Sequence, residues 1–351
     1  MKKDIRTVDE QELIDFLQQI GEKNYRLQQI QEWLWKKHVS SFEQMTNLSK
    51  NLREKLHEHY SIKKIQIKTL QKSTDGTLKF GFELSDGHLI EGVLIPTPKR
   101  MTACISSQVG CSLTCKFCAT GYMKLKRNLL AHEIYEQVEI IRQQAVENYG
   151  IPLTNIVLMG MGEPLLNYKN VLSAIEKITS PKGMEMSAKR ITVSTAGIAK
   201  MIKKLADDQV KFELALSLHA ANDKKRNTIM PINETNSLIN LKEALQYFYQ
   251  KTKNQITLEY IVFQDFNDSL DDAKELYQFA KSFPCKINII EYNPIEHANF
   301  ANTTADRLEN FKNYLKSKGM VVNIRRSRGR DIDAACGQLA IKEKEGKLFV
   351  P

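Results

Sequence analysis

The sequence predicts an α/β fold built on a parallel sheet or barrel and preceded by a small helical unit, and three observations predict it. Beyond residue 98, short strand-like runs alternate with segments of helical periodicity. The first sixty residues carry helical spacing alone, and a stretch of short alternating runs broken by Asp-Gly turns separates the two. Repeated βα units display their functional groups at the carboxyl ends of the strands.

In residues 1–61, Leu13, Phe16, Leu17 and Ile20, then Leu27, Ile30 and Leu34, then Leu48, Leu52 and Leu56 recur at helical spacing. The second of these helices mixes Arg26, Lys36, Lys37 and His38 with Trp33 and Trp35. That composition suits an RNA-facing surface, and equally a solvated face with its tryptophans in the core. Residues 62–98 read as short strands punctuated at Asp75-Gly76 and Asp86-Gly87 and are expected to link the helical unit to a main domain over 99–351. There, strands are expected at 102–106, 155–159, 190–194, 211–216, 255–263, 286–291 and 320–325, with helices at 131–144, 171–178, 238–249 and 273–283. No short-period repeat is present, which argues against a solenoid.

A chain of 351 residues can hold a core of barrel size plus one appendage. Its 42% hydrophobic and 26% charged residues are the mix of a globular protein rather than a disordered or membrane one. Met1-Lys2-Lys3-Asp4-Ile5-Arg6 has no signal-peptide character, and no stretch approaches roughly 18 consecutive apolar positions, so a cytoplasmic protein is expected. The net charge of +10 favours a polyanionic partner without identifying one. Within it, Lys124, Lys126 and Arg127, together with the arginines from Arg325 to Arg330, are expected to contact phosphate. Of the six cysteines, Cys104, Cys111, Cys115 and Cys118 crowd together, which argues for metal or redox chemistry over structural disulfides; Cys285 and Cys336 stand apart.

The strongest signal is Cys111-Ser112-Leu113-Thr114-Cys115-Lys116-Phe117-Cys118, three thiols spaced C-x3-C-x2-C behind the first core strand. A structural zinc closes its tetrahedron with a fourth protein ligand, here Cys104 or His132, and a fully protein-ligated iron-sulfur cluster also needs four thiolates. Three thiolates on a 4Fe-4S cluster leave one iron open to chelate a small molecule, for example through the amino and carboxyl groups of S-adenosylmethionine (SAM). Both readings are open from spacing alone, with the open cluster favoured because catalytic metal sites keep a vacant position. Gly162 and Glu163 follow an expected strand; the glycine admits a ligand close to the backbone, and the carboxylate can accept from an ammonium group. Ser194, Ser217, Leu218, His219 and Asn293 also fall where expected strands end.

These residues resemble the radical SAM superfamily. Cys104-Ile105-Ser106-Ser107-Gln108-Val109-Gly110-Cys111, Met159-Gly160-Met161-Gly162-Glu163-Pro164, Ser217-Leu218-His219 and Asp331-Ile332-Asp333-Ala334-Ala335-Cys336-Gly337-Gln338-Leu339 resemble the RlmN branch of the RlmN/Cfr methyltransferases over essentially the whole chain. The resemblance implies a partial (β/α)6 radical SAM barrel with a helix-hairpin-helix-like N-terminal RNA-binding domain. It implies methylation at C2 of adenine 2503 in 23S rRNA and of adenine 37 in a subset of tRNAs, with an electron donor such as flavodoxin or ferredoxin and a monomeric enzyme. Val109 and Pro164 stand where Cfr-type relatives, which methylate C8, have a cysteine and an alanine.

Carbon 2 of adenine is electron-poor and will not displace a methyl group from a sulfonium, so a radical route is required, with the cofactor carrying the hard step. By resemblance, Cys111, Cys115 and Cys118 hold the cluster, and Gly162, Glu163, Ser194, Ser217, Leu218, His219 and Asn293 hold SAM. Two SAM molecules are used per turnover: Cys336 takes a methyl from one, and the second yields the 5′-deoxyadenosyl radical that activates that S-methyl group. The resulting methylene radical adds to C2, Glu91 removes the proton, and Cys104 attacks Cys336 to free the RNA as a disulfide forms. Cys285 matches no motif and reads as buried packing. The rivals are Cfr-like C8 methylation and, from a different class, a non-catalytic zinc-stabilised RNA-binding protein.

Overall fold

Segments such as Ile191–Thr195 and Ile256–Val262 are runs of β-branched and apolar residues long enough for one strand each, the composition of strands covered on both faces. In the computed structural model, which describes residues 2–341, they lie at the centre of a ten-stranded sheet. Its strands are β1 (Gln66–Lys72), β2 (Leu78–Glu83), β3 (Leu89–Thr97), β4 (Arg100–Cys104), β5 (Asn155–Leu158), β6 (Ile191–Thr195), β7 (Glu213–Ser217), β8 (Ile256–Val262), β9 (Cys285–Glu291) and β10 (Val321–Arg325), laid side by side in sequence order. From β4 to β10 all neighbours are parallel. Strands β1 to β4 pair antiparallel, so residues 62–98 continue the main sheet through the β3–β4 hairpin.

Three helices lie before the sheet: α1 (Glu10–Gln19), α2 (Tyr25–Trp35) and α3 (Lys50–His59). Within the parallel part follow α4 (Ala131–Tyr149), α5 (Tyr168–Thr179), α6 (Ala199–Asp207), α7 (Asp223–Ile229), α8 (Leu238–Thr252), α9 (Leu270–Ala280) and α10 (Ala305–Ser317). Helices follow β4, β5, β6, β7, β8 and β9, with two after β7, giving six βα units and a seventh parallel strand, β10. This is a partial barrel whose carboxyl ends all open on one side. Among the described residues no helix is long and apolar enough to cross a membrane.

The helical unit is tied to the core by both apolar and ionic contacts. Leu17, Ile30, Leu34, Leu52 and Leu56 join the same buried cluster as the strands. Trp35 packs edge-on against Tyr135 of α4, ring centroids 5.1 Å apart. The buried Arg6 guanidinium pairs with Asp4 (2.8 Å) and with Glu136 of α4, and donates to the Lys63 carbonyl (2.6 Å). On α2, Arg26 pairs with Glu22 (3.1 Å), and Lys37, past its end, lies 3.5 Å from Glu32 and over the Trp33 ring. Just beyond the helix, Lys36 reaches Glu185 (3.5 Å) and His38 reaches Glu139 (3.2 Å). Trp35 thus belongs to the core, Trp33 is half-buried, and Lys36 and Lys37 stay exposed.

Candidate active site

The loop between β4 and α4, which carries the three clustered cysteines, is fastened to the loop after β5. The Gly160 amide donates to the Ile105 carbonyl (3.0 Å), the Met161 amide to the Ser106 hydroxyl (2.8 Å), and the Glu163 amide to the Gln108 side chain (2.8 Å). Such closeness is why the glycines are there: a Cβ on Gly160 would stand 2.7 Å from the Ile105 carbonyl. One on Gly162, whose φ is +95°, would stand 2.5 Å from the Gln108 Cβ.

Cys111, Cys115 and Cys118 line a cavity of about 160 Å³ at the carboxyl ends of the strands, together with Gly162, Glu163, Ser194, Ser217, His219 and Cys336. Burial pushes the Cys111 thiol up to about 11 and raises those of Cys115 and Cys118; Cys118 adds to the rise at Cys111, Cys118 and Cys111 add to it at Cys115, and Cys336 adds to it at Cys118. Half-buried thiols gathered at one cavity, each opposed in its ionisation by a neighbouring thiol, are suited to a cationic group such as an iron-sulfur cluster. The two residues that were to complete a zinc tetrahedron lie elsewhere: His132 is buried beside Asp4 (3.9 Å), and Cys104 borders a different cavity.

Facing the thiols, the buried Glu163 carboxylate accepts from the amides of Ala196 (2.7 Å) and Leu165 (3.0 Å). Burial raises its pKa and those amides oppose the rise. The hydroxyls of Ser194 and Ser217 lie 3.5 Å apart on neighbouring strands. His219 has a φ of +55°, sets its ring edge-on to Phe117 (4.6 Å), and accepts at Nδ1 from the Ile261 amide (3.1 Å). That bond assigns the neutral ring's proton to Nε2.

Burial, aided by Arg226, holds the His219 pKa down at about 3. Its unfolded value lies near 6.5, so between the two the unfolded chain binds the extra proton, and stability is expected to fall with falling pH at up to about 1.4 kcal/mol per pH unit from this group. Thermal unfolding between pH 7 and pH 5 checks this. The His219→Asn variant should show a smaller loss than the wild type over that interval, and an identical loss would remove the assignment.

Spacing and composition gave no sign of Arg226, which stands in Asp223-Lys224-Lys225-Arg226 and is fully buried. Its guanidinium donates to the carbonyls of Leu218 (3.0 Å), Ala196 (2.6 Å) and Ser217 (3.1 Å) and to the Asn233 side chain (2.7 Å), binding the ends of β6 and β7 together under the cavity.

Other expected site residues stand back from the cavity. Leu218 is wholly buried and its amide donates to the Glu259 carbonyl (3.0 Å). Asn293 donates to the Cys336 carbonyl (3.1 Å) and accepts from Arg330 (3.0 Å). Glu91 is buried against Lys79 (2.8 Å), and burial raises its pKa despite that ammonium. Cys104 borders a second cavity of about 50 Å³, and Cys336 lines both. All six cysteines are free thiols, so the Cys104–Cys336 disulfide is not present here.

The segment carrying Cys336 is held on the cysteine loop itself. The Ala119 amide donates to the Gly337 carbonyl (2.7 Å) and the Thr120 hydroxyl to that of Leu339 (2.6 Å). The turn before β2 grips it from the other side, Ser73 and Thr74 donating to Asp331 (2.6 and 3.0 Å) and the Gly329 amide to Asp75 (2.9 Å).

The residues expected to contact phosphate differ in the partners they have within the fold. Arg127 is taken up by Glu133 (2.7 Å) and Asp86 (2.6 Å), Arg330 by Glu291 (2.6 Å), and Arg328 donates to the Asp75 carbonyl (3.0 Å). Arg325 turns inward, 3.7 Å from Glu259, and lines both cavities. Lys124, Lys126 and Arg326 remain exposed.

Comparison with known proteins agrees with this geometry. Residues 3–62 match the ribosomal RNA large subunit methyltransferase N-terminal domain, and residues 105–280 match the radical SAM superfamily. The chain is 66% identical over 342 residues to a probable dual-specificity RNA methyltransferase RlmN of Cytophaga hutchinsonii, covering 97% of this chain and 94% of that one. A protein described in the same words from Christiangramia forsetii is 52% identical, with 97% of each chain covered. Among solved structures, a radical SAM methyltransferase from Sphaerobacter thermophilus matches with a TM-score of 0.89 at 37% identity, over 96% of this chain and 99% of that one.

Proposed function

Because the chain belongs to the RlmN family of the radical SAM superfamily, we propose that it methylates C2 of an adenine in 23S rRNA and in a subset of tRNAs, through a methyl group carried on Cys336. The observation that carries this reading is the position of Cys336 in the wall shared by two cavities. A methyl carrier has to meet the cofactor on one side and the thiol that frees it on the other.

In this reading Cys111, Cys115 and Cys118 ligate a 4Fe-4S cluster, which when bound supplies the electron that splits SAM. Gly162 and Glu163 receive the amino acid end of SAM, with Ser194, Ser217 and His219 on the facing wall; Leu218 and Asn293 act through backbone and segment placement. The Cys336 thiolate would accept the methyl group of one SAM, with S-adenosylhomocysteine as the leaving group, and would hold it as an S-methyl group for activation with a second.

Glu91 serves as the base, burial raising its pKa and with it the tendency of the carboxylate to take up a proton. Cys104 must lose its proton before attacking Cys336, and burial, with Cys336 nearby, pushes its pKa up to about 12. Arg325, which borders the same cavity, opposes that rise. The enzyme works as a cytoplasmic monomer, reduced by a flavodoxin or ferredoxin.

The test is digestion and mass spectrometry of rRNA and tRNA from cells with and without the gene. Loss of 2-methyladenosine from both RNAs is expected on deletion. Loss of 8-methyladenosine would assign the Cfr-type reaction, and no change in either would refute the activity. Protein purified anaerobically should be brown and contain iron and sulfide, where the zinc-stabilised alternative requires a colourless zinc protein.

A further inference from the structure

Beside the cofactor cavity lies an open hollow of about 490 Å³. Its walls come from the stretch that follows Cys118, the loop after β9, and the segment on either side of Cys336; Tyr122, Met123, Pro294, His297 and Gln338 are among them. It therefore adjoins the reacting sulfur through two of the segments that build the catalytic cavity.

Tyr122 leaves 46% of its surface in water, yet it is held in place. Its hydroxyl lies 3.1 Å from the carbonyls of both Lys116 and His297. Its ring stands 5.1 Å from the exposed His297 ring at a tilt of 47°, so the two rings do not close each other's faces. Leu125, 38% exposed, and the exposed Lys124 and Lys126 follow directly in the chain. An anchored ring left open to solvent suits a planar ligand that stacks on it. Glu296 and Asp333 also line the hollow; carboxylates repel phosphate but accept from the amino groups of a base, while the lysines suit the backbone. The same carboxylates disfavour an acidic electron-carrier protein in this place.

We propose that Tyr122 and His297 form a stacking site for a nucleobase of the substrate RNA next to the target adenine, with Lys124 and Lys126 contacting the flanking phosphates. The site rests on the RNA methyltransferase reading above and adds to it the place where the strand around the reacting base is held.

The experiment measures binding of a fluorescent anticodon stem-loop RNA to the iron-loaded enzyme and its variants. Tyr122→Ala should weaken binding about 5- to 150-fold, which corresponds to ~1–3 kcal/mol for one stacked base. Tyr122→Trp and Tyr122→Phe, which keep a ring, should bind within about threefold of wild type. His297→Ala lies off the cysteine loop and should weaken binding in the same direction, so damage to that loop cannot account for the result. Unchanged affinity in Tyr122→Ala overturns the proposal, as does a Tyr122→Phe loss equal to that of Tyr122→Ala, since the hydroxyl would then matter and not the ring.

Turnover is measured with a protein electron donor and with dithionite. A Tyr122→Ala defect that dithionite abolishes would assign the surface to the electron carrier and also overturn the proposal. If removing residues 342–351 abolished the dependence on Tyr122, the hollow would belong to that segment instead, and the proposal would fall. Wild-type enzyme that neither binds nor methylates the RNA would refute the activity itself, a result distinct from all of these.

Discussion

Cys336→Ala should retain its iron, form no methylated RNA and form no covalent link to RNA, whereas Cys104→Ala should accumulate as a protein-RNA adduct joined through Cys336. Both are single thiols outside the cysteine loop, so a general loss of thiol chemistry predicts the same defect for the two. The cavities separate them: Cys336 reaches the cofactor side, and Cys104 does not. Without Cys104 the methyl can be taken up and added to the base, and the bond to Cys336 then has no thiol to break it. The measurement is a slow-migrating band in a denaturing gel that nuclease removes. A band from Cys336→Ala, or normal turnover by Cys104→Ala, would overturn the roles. A folding defect can mimic lost product but cannot create a specific adduct.

Replacing any one of Cys111, Cys115 and Cys118 by alanine should abolish both iron retention and SAM cleavage. The three thiols share one cavity, and among the others Cys104 borders a different one while Cys285 lies on β9. Cys336 is the remaining thiol of the cavity, but the segment that bears it is fixed by the bonds from Ala119 and Thr120. Iron and sulfide analysis of anaerobically prepared protein checks the ligands directly. Full iron content in one variant would remove that cysteine from the set.

Much of the core was legible because strands buried on both faces announce themselves as continuous apolar, β-branched runs. The strand expected at 255–263 is Ile256–Val262, and that expected at 320–325 is Val321–Arg325. The helix Ala199–Asp207 escaped notice because it is short and lysine-rich, with Ile202, Leu205 and Ala206 its only fully buried positions. Local pattern also gathered much of the cavity: the cysteine motif, Gly162-Glu163, Ser194, Ser217 and His219 meet there, while Leu218 and Asn293 stand back from it.

What stayed hidden depends on partners far along the chain. Arg226 looked like one more surface charge in a basic run, and only the folded strand ends provide the carbonyls that satisfy it. Arg127 and Arg330 looked free for phosphate until folding brought Glu133 with Asp86 to the one and Glu291 to the other. Charge composition counts such residues as unpaired, and folding gives half-buried Arg127 and exposed Arg330 acidic partners that composition does not reveal.

Because the parallel sheet never closes on itself, its antiparallel end leaves β1 as an outer strand with a row of backbone groups turned away from the fold. An edge of that kind invites another chain to add to it and can seed aggregation. Here Lys68, paired with Glu83, and Lys72 sit on the strand, and its register slips between Ile67 and Thr69. Lysines resist the approach of an identical edge, and the irregularity spoils the straight ladder that such an approach needs. The unclosed architecture is thus guarded, at its far margin, against polymerising with itself.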